Sequence, residues 1–277
     1  MRRVILAMLA GLIATSAFVT SVDAQEVRRY VRYQDGDRIW WGLVDGQQVR
    51  QLSAAPYLGG GPTGRIVQRA SVTLKAPIDP PNAYMTALNF RSHISGEPAT
   101  YPGLFIVPNT SFVGPDEPLI HPVDSNNFHY EAEAIVVIGR ECENVSVEDA
   151  HTCVFGLTAG NDGSARDWQG ADIQWTRAKG TKGFNAAGPE LVTGLDYGNV
   201  MITGRLNGEV VQGESTSDML FNFDQMVSYI SRYFTLKPGD VIWSGTMGTT
   251  RRMQVGDVYE VEISGVGVLR NPLIMGH

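Results

Sequence analysis

The segment Tyr130-Glu131-Ala132-Glu133, running directly into the apolar stretch Ala134 to Gly139, constrains this chain more than any other. A short β-branched apolar run of this kind is expected to form a strand buried on both faces. On a strand, side chains two residues apart share a face, so Glu131 and Glu133 point the same way. Two carboxylates one pleat apart repel, and burying them without a counter-charge is costly. A hard cation such as Mg²⁺ or Mn²⁺, with Ca²⁺ as a further candidate, would supply that charge through oxygen ligands. Alone, Glu-x-Glu also fits an exposed strand face, the reading given to Glu260 and Glu262.

A third carboxylate shifts that balance. Asp162 follows the apolar run Val154 to Leu157 and sits where a strand would end. It completes a three-carboxylate set, although Asn161-Asp162 by itself also reads as an ordinary turn. Arg166 and Gln169 then share one face of a helical turn. Arg166 can clamp a carboxylate with two parallel hydrogen bonds, or simply pair with Asp167 on the surface.

Around this core the chain reads as many short strands and few helices. Asp35-Gly36 and Asp45-Gly46 turn a small N-terminal β module over residues 26–50. Residues 54–66, with Pro56, Gly59, Gly60, Gly61, Pro62 and Gly64, have the composition of loop or linker. Asn207-Gly208 marks a hairpin between Met201 to Leu206 and Glu209 to Gln212. A capping box at Ser146 to Asp149 opens a helix reaching Cys153. Phe223, Met226, Val227 and Ile230 have helical spacing, and Lys237-Pro238-Gly239-Asp240 stops that helix. Asp240 to Gly245 and Asp257 to Ile263 are further strands. The fold class expected is α+β and β-rich, with a small domain and linker over 25–75 and a larger domain over 76–277.

Residues 1–24 differ from the rest. Arg2 and Arg3 precede an apolar stretch from Val4 to Val19, and Val22 and Ala24 occupy small-residue positions before a cleavage point. This is the pattern of a secretory signal peptide cleaved after Ala24, which places the mature chain in the periplasm or outside the cell, free of the membrane. The formal net charge is −7 and there is no basic run, which argues against a nucleic-acid partner. Cys142 and Cys153 are an even pair in an exported chain, as a disulfide requires, but two free thiols, one packed in a helix, fit equally.

From about Tyr84 to Ile274 the sequence resembles the fumarylacetoacetate hydrolase family. The resemblance lies in ordered segments: Leu88-Asn89-Phe90-Arg91-Ser92-His93, Tyr130 to Glu133 leading into Val137-Ile138-Gly139, and Asn161 to Asp167. Trp175 to Lys179, Gly188-Pro189, Leu206 to Glu209 with Gln212, and Leu236 to Ile242 ending in Ser244-Gly245-Thr246 complete it. The resemblance implies a β-roll of twisted mixed sheets, commonly a homodimer, with Mg²⁺ or a similar ion on Glu131, Glu133 and Asp162. It implies that Arg166, Gln169 and Lys179 contact substrate oxygens, with Lys182 the alternative to Lys179. Gly245 and Thr246 would receive a substrate carboxylate, and His93 would be the catalytic histidine.

Many members carry a water-activating glutamate three residues after that histidine. Here the position is Gly96, and Glu97 follows one later. Either the local backbone shifts to bring Glu97 in, or the dyad is incomplete. The activity implied is C–C hydrolysis of an acylpyruvate or fumarylacetoacetate-like 2-oxo acid through a metal-chelated enolate. Isomerisation or decarboxylation of 2-hydroxymuconate-like or oxaloacetate-like acids is the alternative. An exported binding protein without turnover is a third reading.

Overall fold

Tight turns organise the first part of the chain. A computed structural model describes residues 26–276, so the expected signal peptide lies outside the described residues. Gly36 and Gly46, at φ +60° and +59°, supply left-handed turn positions that other residues adopt reluctantly. They join β1 (Arg28–Asp35), β2 (Arg38–Asp45) and β3 (Gln48–Leu52) into antiparallel ribbons. The stretch expected as linker is only partly so. A single turn at Pro56–Leu58 leads into β4 (Pro62–Gln68), which pairs with β3. As the outermost strand, β4 tolerates Pro62, and pairing overrides the loop-like composition.

The chain continues through β5 (Thr73–Lys75), β6 (Ala83–Ala87), β7 (Gly103–Val107), β8 (Phe112–Val113), β9 (Leu119–His121), β10 (Phe128–His129) and β11 (Ala132–Ile138). Next come α1 (Val147–Ala150), β12 (Val154–Asp162), β13 (Ser164–Ala165), α2 (Arg166–Ala171), α3 (Thr176–Gly180) and β14 (Asn185–Thr193). The hairpin β15 (Met201–Leu206) and β16 (Glu209–Ser215) precedes α4 (Phe223–Ser231), β17 (Val241–Trp243), β18 (Val258–Ile263) and β19 (Gly267–Met275).

These strands make a twelve-stranded mixed sheet, a five-stranded sheet in the order β16-β15-β18-β19-β9, and the small pair β10-β13. The N-terminal module belongs to the large sheet, because β1 pairs with β14. The architecture is the β-rich, mixed-sheet roll with few helices that the sequence leads one to expect.

All seven residues of β11 are buried. Ala132, Ala134, Val136 and Ile138 face a core shared with Ile202, Val261, Ile263 and Leu269 of the smaller sheet. Ile135 and Val137 face the opposite way, against Trp243, Leu191 and Tyr30. Each such fully buried aliphatic side chain contributes about 1.5–3 kcal/mol, so the register of β11 is strongly specified.

The helices follow their caps. The Ser146 hydroxyl accepts from the Asp149 amide, and a further turn carries the chain to Cys153. Asn222 and Gln225 form a reciprocal capping box for α4. That helix ends at Ser231, before the expected stop. Lys237 to Asp240 instead form a turn in which the Asp240 carboxylate accepts from the amides of Lys237 and Asn82. Cys142 and Cys153 are joined as a disulfide, with Cα atoms 6.3 Å apart.

Candidate active site

Strand pairing assembles the acidic cluster. β11 and β12 run antiparallel with Glu133 opposite Gly160, and the Asp162 amide donates to the Glu131 carbonyl at 3.0 Å. This register brings Asp162 beside the two glutamates. A carboxylate oxygen of each of the three lies within 4.8 Å of the others. All three side chains are buried, at 4%, 2% and 1% exposure. Gly160 is needed opposite them, because a methyl there would sit 2.4 Å from the Trp243 ring.

Two cations answer part of this charge. Lys179, on α3 and 3% exposed, donates from Nζ to Asp162 at 2.7 Å and to Glu131. Burial opposes its charge, but Asp162 and Glu131 outweigh burial and hold its pKa above the usual lysine value. Lys182, the alternative, is exposed. Arg166 opens α2 and donates to Glu131, to Gln169 Oε1 at 2.7 Å and to Thr250 Oγ1 at 3.2 Å. It does not pair with Asp167, which binds Ser125 and Asn126.

The remaining residues close the cavity. The Gly245 amide donates to Glu133 at 2.9 Å. Its φ of +76° and a Thr86 carbonyl 2.8 Å from where a Cβ would lie both require glycine there. The Thr246 hydroxyl donates to the Ala132 carbonyl at 3.0 Å and accepts from Gln212 at 2.8 Å. His93 Nδ1 lies 2.6 Å from the Gly248 carbonyl. A carbonyl only accepts, so Nδ1 carries a proton and donates it to Gly248, which leaves Nε2 to face the cavity. Nε2 lies 3.9 Å from Glu131. Glu97 does not join this group. It is exposed and lines a neighbouring cleft that His93 also borders.

Sequence reasoning missed part of the site. His129, which belongs to none of the motifs above, lies between Asn127 Oδ1 and Thr250 Oγ1, at 2.9 Å from each. Burial, with the nearby Arg166 charge, lowers its pKa to about 4 and keeps it neutral. Thr250 carries no motif, so nothing in the sequence ties it to Arg166.

The donor set fits a divalent cation. Three carboxylates face one lysine and one arginine, so the group is short of positive charge. Burial first, then Asp162 and Glu131, pushes the Glu133 pKa well above the usual range. Burial likewise raises Asp162 to about 7, against the pull of Lys179. Glu131 is held low, because Lys179 and Arg166 outweigh its burial. Asp162 Oδ1 is buried with no hydrogen-bond partner. A hard dication would satisfy that oxygen and let all three groups ionise.

A model of the fumarylacetoacetate (FAA) hydrolase C-terminal family matches residues 82–274, and an Rv2993c-like N-terminal model matches residues 28–77. Protein Rv2993c of Mycobacterium tuberculosis is 35% identical over 259 residues, which is 89% of this chain and 98% of that protein. The mitochondrial oxaloacetate tautomerase fahd2 of Xenopus laevis is 35% identical over 225 residues, 76% of this chain and 70% of its own. The crystal structure of 5-carboxymethyl-2-hydroxymuconate delta-isomerase from Mycobacterium smegmatis matches with a TM-score of 0.84 at 35% identity, covering 90% of this chain and 100% of that one. With that agreement along nearly its whole described length, the chain belongs to the fumarylacetoacetate hydrolase family.

Proposed function

We propose that this chain is a divalent-metal-dependent enzyme that moves a proton between the keto, enol or double-bond forms of a small 2-oxo acid. The observation that carries this reading is the setting of His93. Its Nδ1 is committed to Gly248, its Nε2 faces the acidic cluster 3.9 Å from the candidate metal ligand Glu131, and Glu97 lies exposed outside that group. Relatives named as a tautomerase and an isomerase fit the same chemistry.

A divalent ion held by Glu131, Glu133 and Asp162 would polarise the 2-oxo carbonyl and stabilise negative charge developing on its oxygen. Arg166 and Lys179 supply the positive charge that draws a carboxylate into an acidic protein, and Arg166 offers a planar fork for it. Gln169 holds that fork in place. The Thr246 hydroxyl borders the same cavity, anchored by Ala132 and Gln212. His93 takes or returns the proton at Nε2.

The test is the decay of enol absorbance of oxaloacetate and of acylpyruvates with Mg²⁺. Acceleration is expected, falling about 100-fold or more in His93→Ala and Glu133→Gln. No acceleration above the uncatalysed rate across the panel would remove the reading. C–C hydrolysis is the second reading, favoured by the single cleft that His93 and Glu97 border together. Release of pyruvate and a second acid from an acylpyruvate, lost in Glu97→Gln, would establish it instead.

A further inference from the structure

The cavity at the acidic cluster is small, about 50 Å³, enough for the head of a 2-oxo acid and little more. It does not end there. A cleft of about 370 Å³, the size range of small-molecule sites, continues from it. The two share Ala87, Leu88, Phe105 and Trp175 as a common wall. Leu104 and Ile173 complete the apolar lining of the outer cleft, and Gln174 adds only a neutral amide.

Two of these side chains have no packing role that explains them. Ile173 is 97% exposed and Leu88 is 51% exposed, the latter held at φ +55°, where non-glycine residues are uncommon. Phe105 and Trp175, by contrast, are fixed. Their rings meet edge to face at 5.5 Å, and Lys179 Nζ lies 5.6 Å from the Phe105 ring. The aromatic wall is thus built onto the lysine that binds the acidic cluster.

Charge is distributed just as unevenly. Neither this cleft nor its neighbour of about 350 Å³, which shares Leu88 and Ala99, is lined by a lysine or arginine. Among the lining residues of the pair, the titratable groups are the Glu97 carboxylate and the His93 imidazole, both in the neighbouring cleft. A second carboxylate at the far end of a substrate would find no cation in the lining of the outer cleft, while at the neighbouring cleft Glu97 is accompanied by Arg91, whose guanidinium donates to the lining Gly96 carbonyl at 2.5 Å. An uncharged apolar tail would exchange water for Phe105, Trp175, Leu88 and Ile173.

From this we propose that the preferred substrate is a 2-oxo acid with an uncharged apolar far end, an acylpyruvate bearing an alkyl or aryl tail, and that Leu88, Phe105, Ile173 and Trp175 select it. The inference rests on the 2-oxo-acid reading of the inner site. It separates this chain from an enzyme tuned to a dicarboxylate such as oxaloacetate.

The test compares acetyl-, butanoyl- and hexanoylpyruvate with oxaloacetate on the full Mg²⁺-loaded chain, with oxalate binding measured calorimetrically as a head-only control. KM is expected to fall about three- to fourfold per added methylene until the cleft is filled, with oxaloacetate the weakest substrate. Ile173→Lys alters an exposed position and so leaves the core packing intact. It and Trp175→Ala should shrink the gain per methylene, and Ile173→Lys should turn preference tenfold or more toward oxaloacetate. Oxalate binding with a flat tail series overturns the subsite and leaves the inner site standing. So does a flat series in which Ile173→Lys instead splits a dimer, which would assign the cleft to a second copy. Failure of oxalate to bind removes the 2-oxo-acid reading and the tail selection with it.

Discussion

His129 shows how a single side chain acts through its neighbours. Arg166 donates to Thr250 Oγ1, which leaves the Thr250 hydroxyl to donate to His129 Nδ1, and His129 Nε2–H donates to Asn127 Oδ1. Every donor in this chain has one acceptor, and the order requires a neutral imidazole. Cutting it at Thr250→Val should loosen Arg166 and raise KM for a 2-oxo acid about 5- to 30-fold with a smaller change in kcat. Thr250→Ser should restore it, and unchanged KM in the valine variant would show that Arg166 is held by Gln169 and Glu131 alone. Asp162 gives a second prediction at this scale, for the chain kept in chelator. Its folded pKa, raised from 3.8 to about 7 by burial, means the folded state holds a proton that the unfolded state releases. That stability is present in full below about pH 3.8 and is lost as pH rises to about 7. Asp162→Asn should remove this slope, seen as a Tm in EDTA that falls less steeply than wild type between those limits.

Elements, rather than single residues, bring the acidic group together. The β11–β12 register fixes which residues face each other, and a slip of one would turn Glu133 to the opposite face. The far end of the same pair is tied by the Cys142–Cys153 disulfide, which links the loop after β11 to the turn entering β12. Closing that short loop restricts the unfolded chain. The Cys142→Ser/Cys153→Ser double variant should therefore lose about 2–4 kcal/mol in urea unfolding. A loss of stability without a change in Mg²⁺ affinity is expected, because the carboxylates sit at the opposite end of the strands.

At the scale of the molecule, the N-terminal module is part of the main sheet. Arg29 and Arg69 both reach Glu190 on β14, a glutamate 4% exposed. We propose that the chain is exported and cleaved after Ala24, a reading consistent with the disulfide. Amino-terminal sequencing of the periplasmic fraction should begin at Gln25; an unprocessed chain recovered from the cytoplasm would oppose it. We also propose a homodimer in solution, to be checked by light scattering of the purified protein.

The family, the buried strand of β11, the Asn207-Gly208 hairpin and the three carboxylates are all legible in the sequence. They depend on period-two alternation, turn chemistry and ordered motifs, which are local. The sequence also names Arg166 and Gln169, by their spacing on a helical turn, and Lys179, through family resemblance, though none of them through any distance it could supply. Tertiary structure alone decides the rest. It pairs β4 where composition reads as linker, turns Lys179 and not Lys182 into the site, and leaves Glu97 outside it. It also joins Thr250 to Arg166, and Leu88 and Phe105 to Ile173 and Trp175, across stretches of chain with no shared pattern. The physical reason is the same in each case. These contacts are set by strand register and by which side chains the packed sheets leave facing one cavity, and neither is encoded in any short segment.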